Sequence, residues 1–314
     1  MSVERQDPAP RVAVLGGTGS VGRHVCAEFA GAGYEVIVIA RKPTAAVERY
    51  RFVPLDIAGE NVGRITEILT AEQVGVVVNA AGSWSNSLDE LTRAHIQLLA
   101  NLVTALAAVT PAPRLVHIGT VHEYGVKAAG TVLDETAEPT PETDFARTKF
   151  AGSTLALDAA AAGAVDAVVL RVSNVYGPDP AAASFLGFLA AKLPTVDPAV
   201  GIELTIADAR RDYVDNRDVA RAVLAAARHT GPGRVFNIGS GVATPLRELV
   251  YGLAAAAGLP ATAVREQTAE ITSKGGDWTC VDATLAHTEL GWRPRYTPAE
   301  SVRALLDEPF TAST

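Results

Sequence analysis

Short apolar runs alternate with longer segments of helical spacing through the first half of the chain. The runs are rich in Val, Ile and Leu, and several end in glycine or a polar residue, which is typical of buried parallel strands. They are Arg11–Gly16, Tyr34–Ala40, Arg51–Asp56, Val74–Asn79, Leu115–Ile118 and Ala167–Val172. The segments between them predict helices over Ser20–Ala30, Leu91–Val109 and Phe145–Ala162. This alternation predicts an α/β fold with a doubly wound parallel sheet that helices cover on both faces.

The second half is less regular, because prolines interrupt the region after the sixth strand. They are Pro178, Pro180, Pro194 and Pro198. Strand-like pieces and then helical pieces follow at Glu203–Ala207, Arg234–Ile238, Arg217–Arg228 and Pro245–Ala257. We therefore expect a larger unit over residues 1–175, to which 208–238 return, and a smaller α/β lobe built from 176–207 and 239–314.

Composition narrows the functional class. The chain has 314 residues, 48% hydrophobic and 20% charged, so it can bury a large core. Its net charge of −8 disfavours a nucleic-acid partner, which would need a basic surface. Two distant cysteines, Cys26 and Cys280, provide neither a disulfide framework nor a zinc motif, and we expect no metal.

The N-terminal ten residues are polar and contain proline, unlike a signal peptide. No stretch reaches the roughly 18–20 apolar residues that a membrane span needs. We expect a cytoplasmic protein without a membrane partner.

A glycine-rich loop follows the first strand directly. Gly16, Gly19 and Gly22 are spaced G-x-x-G-x-x-G and open the first helix. Glycines at this spacing let backbone N–H groups approach a pyrophosphate, and the helix N-terminus attracts its charge. We expect the loop to bind a dinucleotide through these glycines together with Thr18, Ser20, Val21 and Arg23. The alternative is a plain glycine-rich turn.

The end of the second strand predicts which dinucleotide binds. An NAD site places a carboxylate there for the ribose hydroxyls, but this strand ends in Ile39-Ala40-Arg41-Lys42. The planar fork of Arg41 suits a 2′-phosphate, and Lys42 and Arg23 could assist. The pattern favours NADP(H); the alternative is a solvated basic turn.

Further motifs appear in an order that extends over nearly the full length of the chain. They are Gly16–Gly22, Asp56, Asn79-Ala-Ala-Gly82, Gly119-Thr120, Tyr124-Gly125, Lys149, Arg171–Pro178, Arg211-Asp-Tyr-Val214, Asn237–Gly241, Gly276-Asp277 and Leu290-Gly-Trp292. With these motifs the chain resembles an extended short-chain dehydrogenase/reductase acting on nucleotide sugars. The resemblance implies a Rossmann domain and a lobe that covers the sugar nucleotide.

The resemblance also implies roles for particular residues. Asp56 would face the adenine, and further cofactor contacts would come from Ala80, Ala81, Gly82, Lys149 and Val172. The sugar and its diphosphate would be held by Ser83, Thr120, His122, Asn174, Arg211 and Lys274. Lys274 stands where the family usually has Arg. Two of these residues have alternative, purely structural roles. Thr120 could cap a helix or turn, and Arg211 could form a surface ion pair with Asp212 or Asp218.

The catalytic segment departs from the family at one position. The family carries a proton-transferring Tyr four residues before a Lys on one helix, and a Ser or Thr that hydrogen-bonds the same substrate oxygen. Here the corresponding residues are Phe145, Lys149 and Thr120. Phenylalanine has no proton to give, and loss of a positioned acid or base typically costs about 10²–10⁴-fold in rate.

Three explanations of Phe145 remain open. It could be an engineered Tyr-to-Phe change that holds ligands without turnover. Another group could replace the hydroxyl, and the candidates are Tyr124, His122, Thr120 and Ser83. The protein could also be a non-catalytic binder of NADP(H).

The residues after Thr120 discriminate among reactions. Dehydratases of this family follow the Thr with an Asp-Glu pair, whereas this chain has Val121-His122. We therefore predict a ketoreductase that uses exchangeable NADPH on a dTDP-linked keto-deoxysugar, at C4. The alternatives are a nucleotide-sugar epimerase and an inert NADP(H) sensor or interaction protein. The resemblance further implies a homodimer through a four-helix bundle made by the two long helices, which could instead simply cover the sheet.

Overall fold

A computed structural model describes residues 9–231, 233–267 and 276–307. Its helices are α1 (Ser20–Gly31), α2 (Val62–Ala71), α3 (Leu88–Thr92), α4 (Leu98–Ala107), α5 (Asp144–Ala161), α6 (Phe185–Lys192), α7 (Asn216–Arg228), α8 (Leu246–Ala256), α9 (Thr284–Leu290) and α10 (Pro298–Asp307). Its strands are β1 (Arg11–Leu15), β2 (Glu35–Ala40), β3 (Arg51–Pro54), β4 (Val76–Asn79), β5 (Arg114–Thr120), β6 (Asp166–Val172), β7 (Asn174–Tyr176), β8 (Ile202–Leu204), β9 (Arg210–Asp215), β10 (Val235–Ile238), β11 (Ala243–Pro245), β12 (Val264–Glu266) and β13 (Trp278–Thr279).

Seven strands form one parallel sheet in the order β10-β6-β5-β4-β1-β2-β3. The chain leaves β1 toward β2 and β3, and then crosses to β4 on the other side of β1. In such sheets ligands bind at the carboxyl ends of the strands where the winding reverses. The fold class is therefore confirmed, and the expected ligand edge lies between β1 and β4.

Apolar side chains bury both faces of this sheet. On one face α1 and α7 contribute Val25, Phe29 and Val223, all fully buried. On the other face α2 and α4 contribute Leu69 and Leu102 to a second cluster that also includes side chains of α5. Burial on both faces explains why these strands are continuous apolar runs rather than alternating ones.

A smaller sheet belongs to the second lobe. Strand β9 pairs with β11, β13 and β7 there, and β8 pairs with β12 in a separate ribbon. Helices α6, α8 and α10 cover this lobe with a core of their own. Within the predicted returning segment 208–238, β9 pairs with β7 in the small sheet, whereas α7 packs on the large sheet and β10 pairs with β6 in it. The division into a larger unit and a smaller lobe stays a prediction.

The predicted helix Leu91–Val109 is interrupted in the structure. It consists of α3, a π-helical turn over Arg93–Gln97, and α4. The π turn places His95 in the protein interior, 2% exposed. Such turns are frequent at functional sites, and nothing in the apolar spacing indicated this one. Within the described ranges, no helix is long and apolar enough to cross a membrane.

Candidate active site

A cleft of about 790 Å³ opens at the carboxyl ends of β1, β2, β3 and β4. Many of the residues predicted to bind cofactor or sugar line it: Gly16, Thr18, Gly19, Arg41, Lys42, Asp56, Ala80, Ala81, Gly82 and Ser83. These residues follow the ends of four strands, β1, β2, β3 and β4, so the parallel sheet itself brings them together.

Two glycines of the loop, Gly16 and Gly22, have no room for a side chain. A Cβ on Gly16 would lie 2.7 Å from the Cα of Ala81, and one on Gly22 would lie 2.1 Å from the Gly16 carbonyl oxygen. Gly16 also has a backbone φ of +73°, a conformation that residues other than glycine rarely adopt. Glycine at these positions therefore permits the tight turn and the close packing of helix against strand that a dinucleotide-binding loop requires, and the loop fits the pyrophosphate of a dinucleotide.

The helix that follows the loop is tied to another part of the chain. The Ser20 hydroxyl donates to the Asp179 carbonyl at 2.7 Å, and the Arg23 guanidinium pairs with the Asp179 carboxylate at 2.8 Å. Val21 packs against the core. A contact between Arg23 and a 2′-phosphate stays a prediction, and it would require exchange of this ion pair.

The end of β2 presents two exposed cations. Arg41 and Lys42 line the cleft, and neither forms an ion pair within residues 9–231, 233–267 and 276–307. The neighbouring carboxylate of Asp56 accepts from the Arg93 guanidinium at 2.7 Å. Arg93 also lines the cleft. Sequence reasoning missed it, because the π turn that carries it had no recognisable signal.

Thr120 ends β5 and caps the 3₁₀ turn Val121–Tyr124. Its hydroxyl oxygen accepts from the His122 N–H at 3.4 Å, and the Glu123 carboxylate accepts from the Thr120 N–H at 3.0 Å. The capping role raised as an alternative is thus present. It uses the hydroxyl as an acceptor, so the hydroxyl proton is still available for a substrate oxygen.

A buried ion pair supports this turn from below. Glu123 is 0% exposed and Arg171 is 3% exposed, and their charged groups lie 2.9 Å apart. The Ser153 hydroxyl also donates to Glu123, at 2.9 Å. The carboxylate is therefore fully engaged and cannot serve as a catalytic acid or base.

Tyr124 cannot replace the missing tyrosine of the family. Its ring is fully buried beneath the Arg171 guanidinium, and its hydroxyl donates to the Asn237 side chain at 2.8 Å. Burial also raises its pKa. Because the hydroxyl neither reaches the cleft nor ionises readily, Tyr124 is removed from the possible proton donors.

Lys149 lies on α5, one turn after Phe145, and is 7% exposed. Its ammonium donates to the Ile118 carbonyl at 2.5 Å. Burial lowers its pKa to about 8, although the nearby Glu123 carboxylate opposes the shift. Lys149 is therefore charged at neutral pH, yet it loses its proton more readily than an exposed lysine.

Phe145 is half-buried within a group of aromatic rings rather than packed into the core. Trp84 stacks on it with ring centroids 4.2 Å apart and an angle of 12° between the planes. His95 and His122 meet it edge-on, at 5.5 Å and 6.1 Å. Phe145 thus contacts the loop that follows β4 through Trp84, whose neighbour Ser83 lines the cleft.

The hydrogen bonds of His95 define its tautomer. Its Nε2 accepts from the Ser83 N–H at 3.1 Å, so the proton of the neutral ring is on Nδ1, 2.9 Å from the Thr148 hydroxyl. That hydroxyl donates onward to the Asp144 carbonyl at 2.8 Å. Burial lowers the pKa of His95 to about 3, which keeps the ring neutral. His95 therefore positions the loop at Ser83.

The predicted substrate residues on the second lobe are partly engaged. Asn174 donates to the Asp212 carbonyl at 3.0 Å, and Arg211 donates to the Gly276 carbonyl at 2.7 Å. Burial and the Arg211 charge lower the pKa of His122 to about 4. Gly276, which Arg211 holds, lies against the segment that carries His122, because a Cβ on Gly276 would lie 3.2 Å from the side chain of Val126.

Three further expectations from the sequence concern the ion pair of Arg211, the position of Val172 and the position of Lys274. Arg211 does not pair with Asp212, whose carboxylate accepts from Ser240 and Gly241 instead. Val172 is buried at the end of β6. Lys274 lies outside the described residues.

Comparison with known proteins gives the family. Residues 12–239 match the model of the NAD dependent epimerase/dehydratase family. The chain belongs to this family. It is 37% identical over 99% of both chains to dTDP-6-deoxy-L-talose 4-dehydrogenase (NAD(P)(+)) from Kitasatospora kifunensis.

Two other relatives extend the comparison. GDP-6-deoxy-D-mannose reductase from Pseudomonas aeruginosa is 26% identical over 95% of this chain and 96% of its own. The crystal structure of a putative epimerase from Burkholderia cenocepacia superposes with a TM-score of 0.85 at 25% identity, covering 98% of this chain and 100% of that one. The epimerase/dehydratase chain is thus an extended short-chain dehydrogenase/reductase of the class that modifies nucleotide sugars.

Proposed function

We propose that this enzyme reduces the C4 keto group of a dTDP-linked 6-deoxysugar with NADPH. The observation that carries the proposal is the full-length 37% identity to a dTDP-6-deoxysugar 4-dehydrogenase, whose named reaction is the reverse of this reduction. The retention of Thr120 at the carboxyl end of β5, and of Lys149 bonded to the same strand, supports it.

The choice of NADPH rests on the end of β2. Arg41 and Lys42 are exposed there beside the cleft. A 2′-phosphate would satisfy both cations, whereas the ribose diol of NAD needs a carboxylate that this strand end lacks. When bound, the nicotinamide supplies the hydride.

The remaining steps belong to the side chains. The Thr120 hydroxyl would donate a hydrogen bond to the keto oxygen, and Arg211 would bind the diphosphate. The alkoxide formed at C4 needs one proton. The Lys149 ammonium ion would donate this proton to the alkoxide, directly or through water, and would become a neutral amine. His122 is less suited, because a ring with a pKa of about 4 is already neutral at pH 7.

Competing reactions of the family have weaker support. Elimination of water needs a free carboxylate, and Glu123, three residues after Thr120, is locked by Arg171. An epimerase would retain NAD through purification, so tightly bound NAD would favour that alternative. Binding of NADPH without turnover of any keto-sugar would favour a sensor.

The proposal predicts NADPH consumption that depends on dTDP-4-keto-6-deoxyglucose and is slower with NADH. Arg41→Ala should weaken NADPH binding by about 10–100-fold and leave NADH binding unchanged, since it removes charge-assisted hydrogen bonds to one phosphate. Cofactor fluorescence measures both affinities. The exposed Arg64 of α2 offers a matched control, Arg64→Ala. Equal losses for NADPH and NADH would contradict the assignment of the 2′-phosphate site.

A second prediction concerns pH. Because the pKa of Lys149 is lowered to about 8, its ammonium form is lost as the pH rises through that value. We expect kcat/KM for the keto-sugar to be flat below about pH 7 and to fall tenfold per pH unit well above the pKa. Lys149→Arg has no group titrating in this range, so its residual rate should lack the break. A break that persists in this variant would assign it to another group.

We further propose a homodimer through α4 and α5. These helices pack side by side, and Ile96, Val103, Phe150 and Leu155 on or beside them are only half-buried. Pairing the same surface across a two-fold axis would remove this apolar area from water.

A further inference from the structure

Trp84 is the most exposed large hydrophobic residue among those the structure describes, with 67% of its surface accessible. It lies in the loop after β4, two residues beyond Gly82. One face of its indole covers Phe145. An exposed indole beside a binding cleft has an energetic cost that ligand burial would remove.

Hydrogen bonds rather than core packing fix the loop that carries Trp84. The Ser83 N–H donates to buried His95 at 3.1 Å. Farther along, the Ser85 N–H donates to the Ser83 hydroxyl at 3.2 Å, and the Ser87 N–H donates to the Ser85 hydroxyl at 3.0 Å. Ser87 then caps α3. The indole is thus held in place in advance of any ligand.

The surroundings of Trp84 indicate which part of a ligand would reach it. Arg211, the proposed diphosphate ligand, donates to the Gly276 carbonyl at 2.7 Å, and a Cβ on Gly276 would lie 3.2 Å from the side chain of Val126, four residues after His122. His122 in turn contacts the Phe145 ring, which Trp84 covers. A sugar attached to a diphosphate at Arg211 would therefore extend along His122 toward the Trp84–Phe145 pair.

We propose that Trp84 is a specificity-determining residue that packs against the C6 methyl group of a 6-deoxysugar. The inference rests on the proposed function and identifies the feature of the sugar that this site selects. A methyl group can lose its water against an aromatic face without sacrificing a hydrogen bond. A C6 hydroxyl placed there would be desolvated without a partner.

Binding to two unreactive sugars tests the inference. With NADPH bound, dTDP-6-deoxyglucose and dTDP-glucose are both alcohols and cannot be reduced. We expect the 6-deoxysugar to bind about ten-fold more tightly, a typical effect of one small group at an apolar contact. Trp84→Ala should abolish this preference and leave the affinity for dTDP itself unchanged. Trp84→Phe should restore part of it.

Fluorescence provides an independent readout, because Trp84 is one of only three tryptophans in the chain. We expect the 6-deoxysugar to change the emission of the unmodified protein but not that of Trp84→Phe. The exposed Leu88 at the start of α3 offers a matched control, and Leu88→Ala should retain the preference. An unchanged preference in Trp84→Ala would overturn the inference while the proposed function stands. Failure of dTDP and both sugars to bind would overturn both.

Discussion

Phe145→Tyr should raise kcat for reduction of dTDP-4-keto-6-deoxyglucose by NADPH about 10²–10⁴-fold. The new hydroxyl would be four residues before Lys149 on α5, so both side chains project from one face of the helix. The buried Lys149 ammonium would lower the pKa of the tyrosine. Reduction would then no longer depend on the lysine alone for the proton. The decrease in NADPH absorbance measures the rate.

Phe188→Tyr is the matched control, since Phe188 is exposed on α6 in the second lobe. It adds the same hydroxyl on a helix other than the one that carries Lys149, and the rate should not change. If Phe145→Tyr still binds NADPH but turns over no keto-sugar nucleotide, the reductase proposal is wrong. If the unmodified protein is already as fast as the tyrosine variant, Lys149 or another donor fully replaces the hydroxyl.

Glu123→Gln should lower the free energy of unfolding by about 3–5 kcal/mol, because it leaves the buried guanidinium of Arg171 without its counter-charge. The side chain keeps its shape, so the loss would come from charge rather than from a cavity. Urea denaturation monitored by tryptophan fluorescence measures the effect.

Two variants separate this cause from others. Glu142→Gln is the first variant. The Glu142 carboxylate is exposed and accepts a hydrogen bond from the Val126 N–H, so its neutralisation should change the free energy of unfolding little. The double variant Glu123→Gln/Arg171→Met removes both charges, keeps an acceptor for the Thr120 N–H and the Ser153 hydroxyl, and should recover much of the lost stability. If the double variant is no more stable than Glu123→Gln, the buried pair is not the origin of the loss.

The large sheet could be predicted because its strands are buried on both faces and so appear as apolar runs. The glycine loop and Arg41 could be placed because each follows a strand end directly. The short strands β7, β11 and β13 could not, since their partner β9 is distant in sequence and they are only two or three residues long.

Parts of the site also lay beyond sequence reasoning. His95 enters the site through a π turn that apolar spacing does not signal. Trp84 stacks on Phe145 although the two residues are 61 positions apart, and nothing in the sequence indicates that they are in contact. Tyr124 is a plausible donor by motif, and only its buried bond to Asn237 removes it.

The ties between α1 and Asp179 bear on the order in which ligands bind. Asp179 lies in the segment that leaves β7 for the second lobe, and it holds Ser20 and Arg23 just behind the phosphate loop. A dinucleotide that orders this loop would, through these contacts, also order the segment at Asp179 where the chain enters the second lobe. We therefore expect compulsory-order kinetics, in which the dinucleotide binds first and dissociates last.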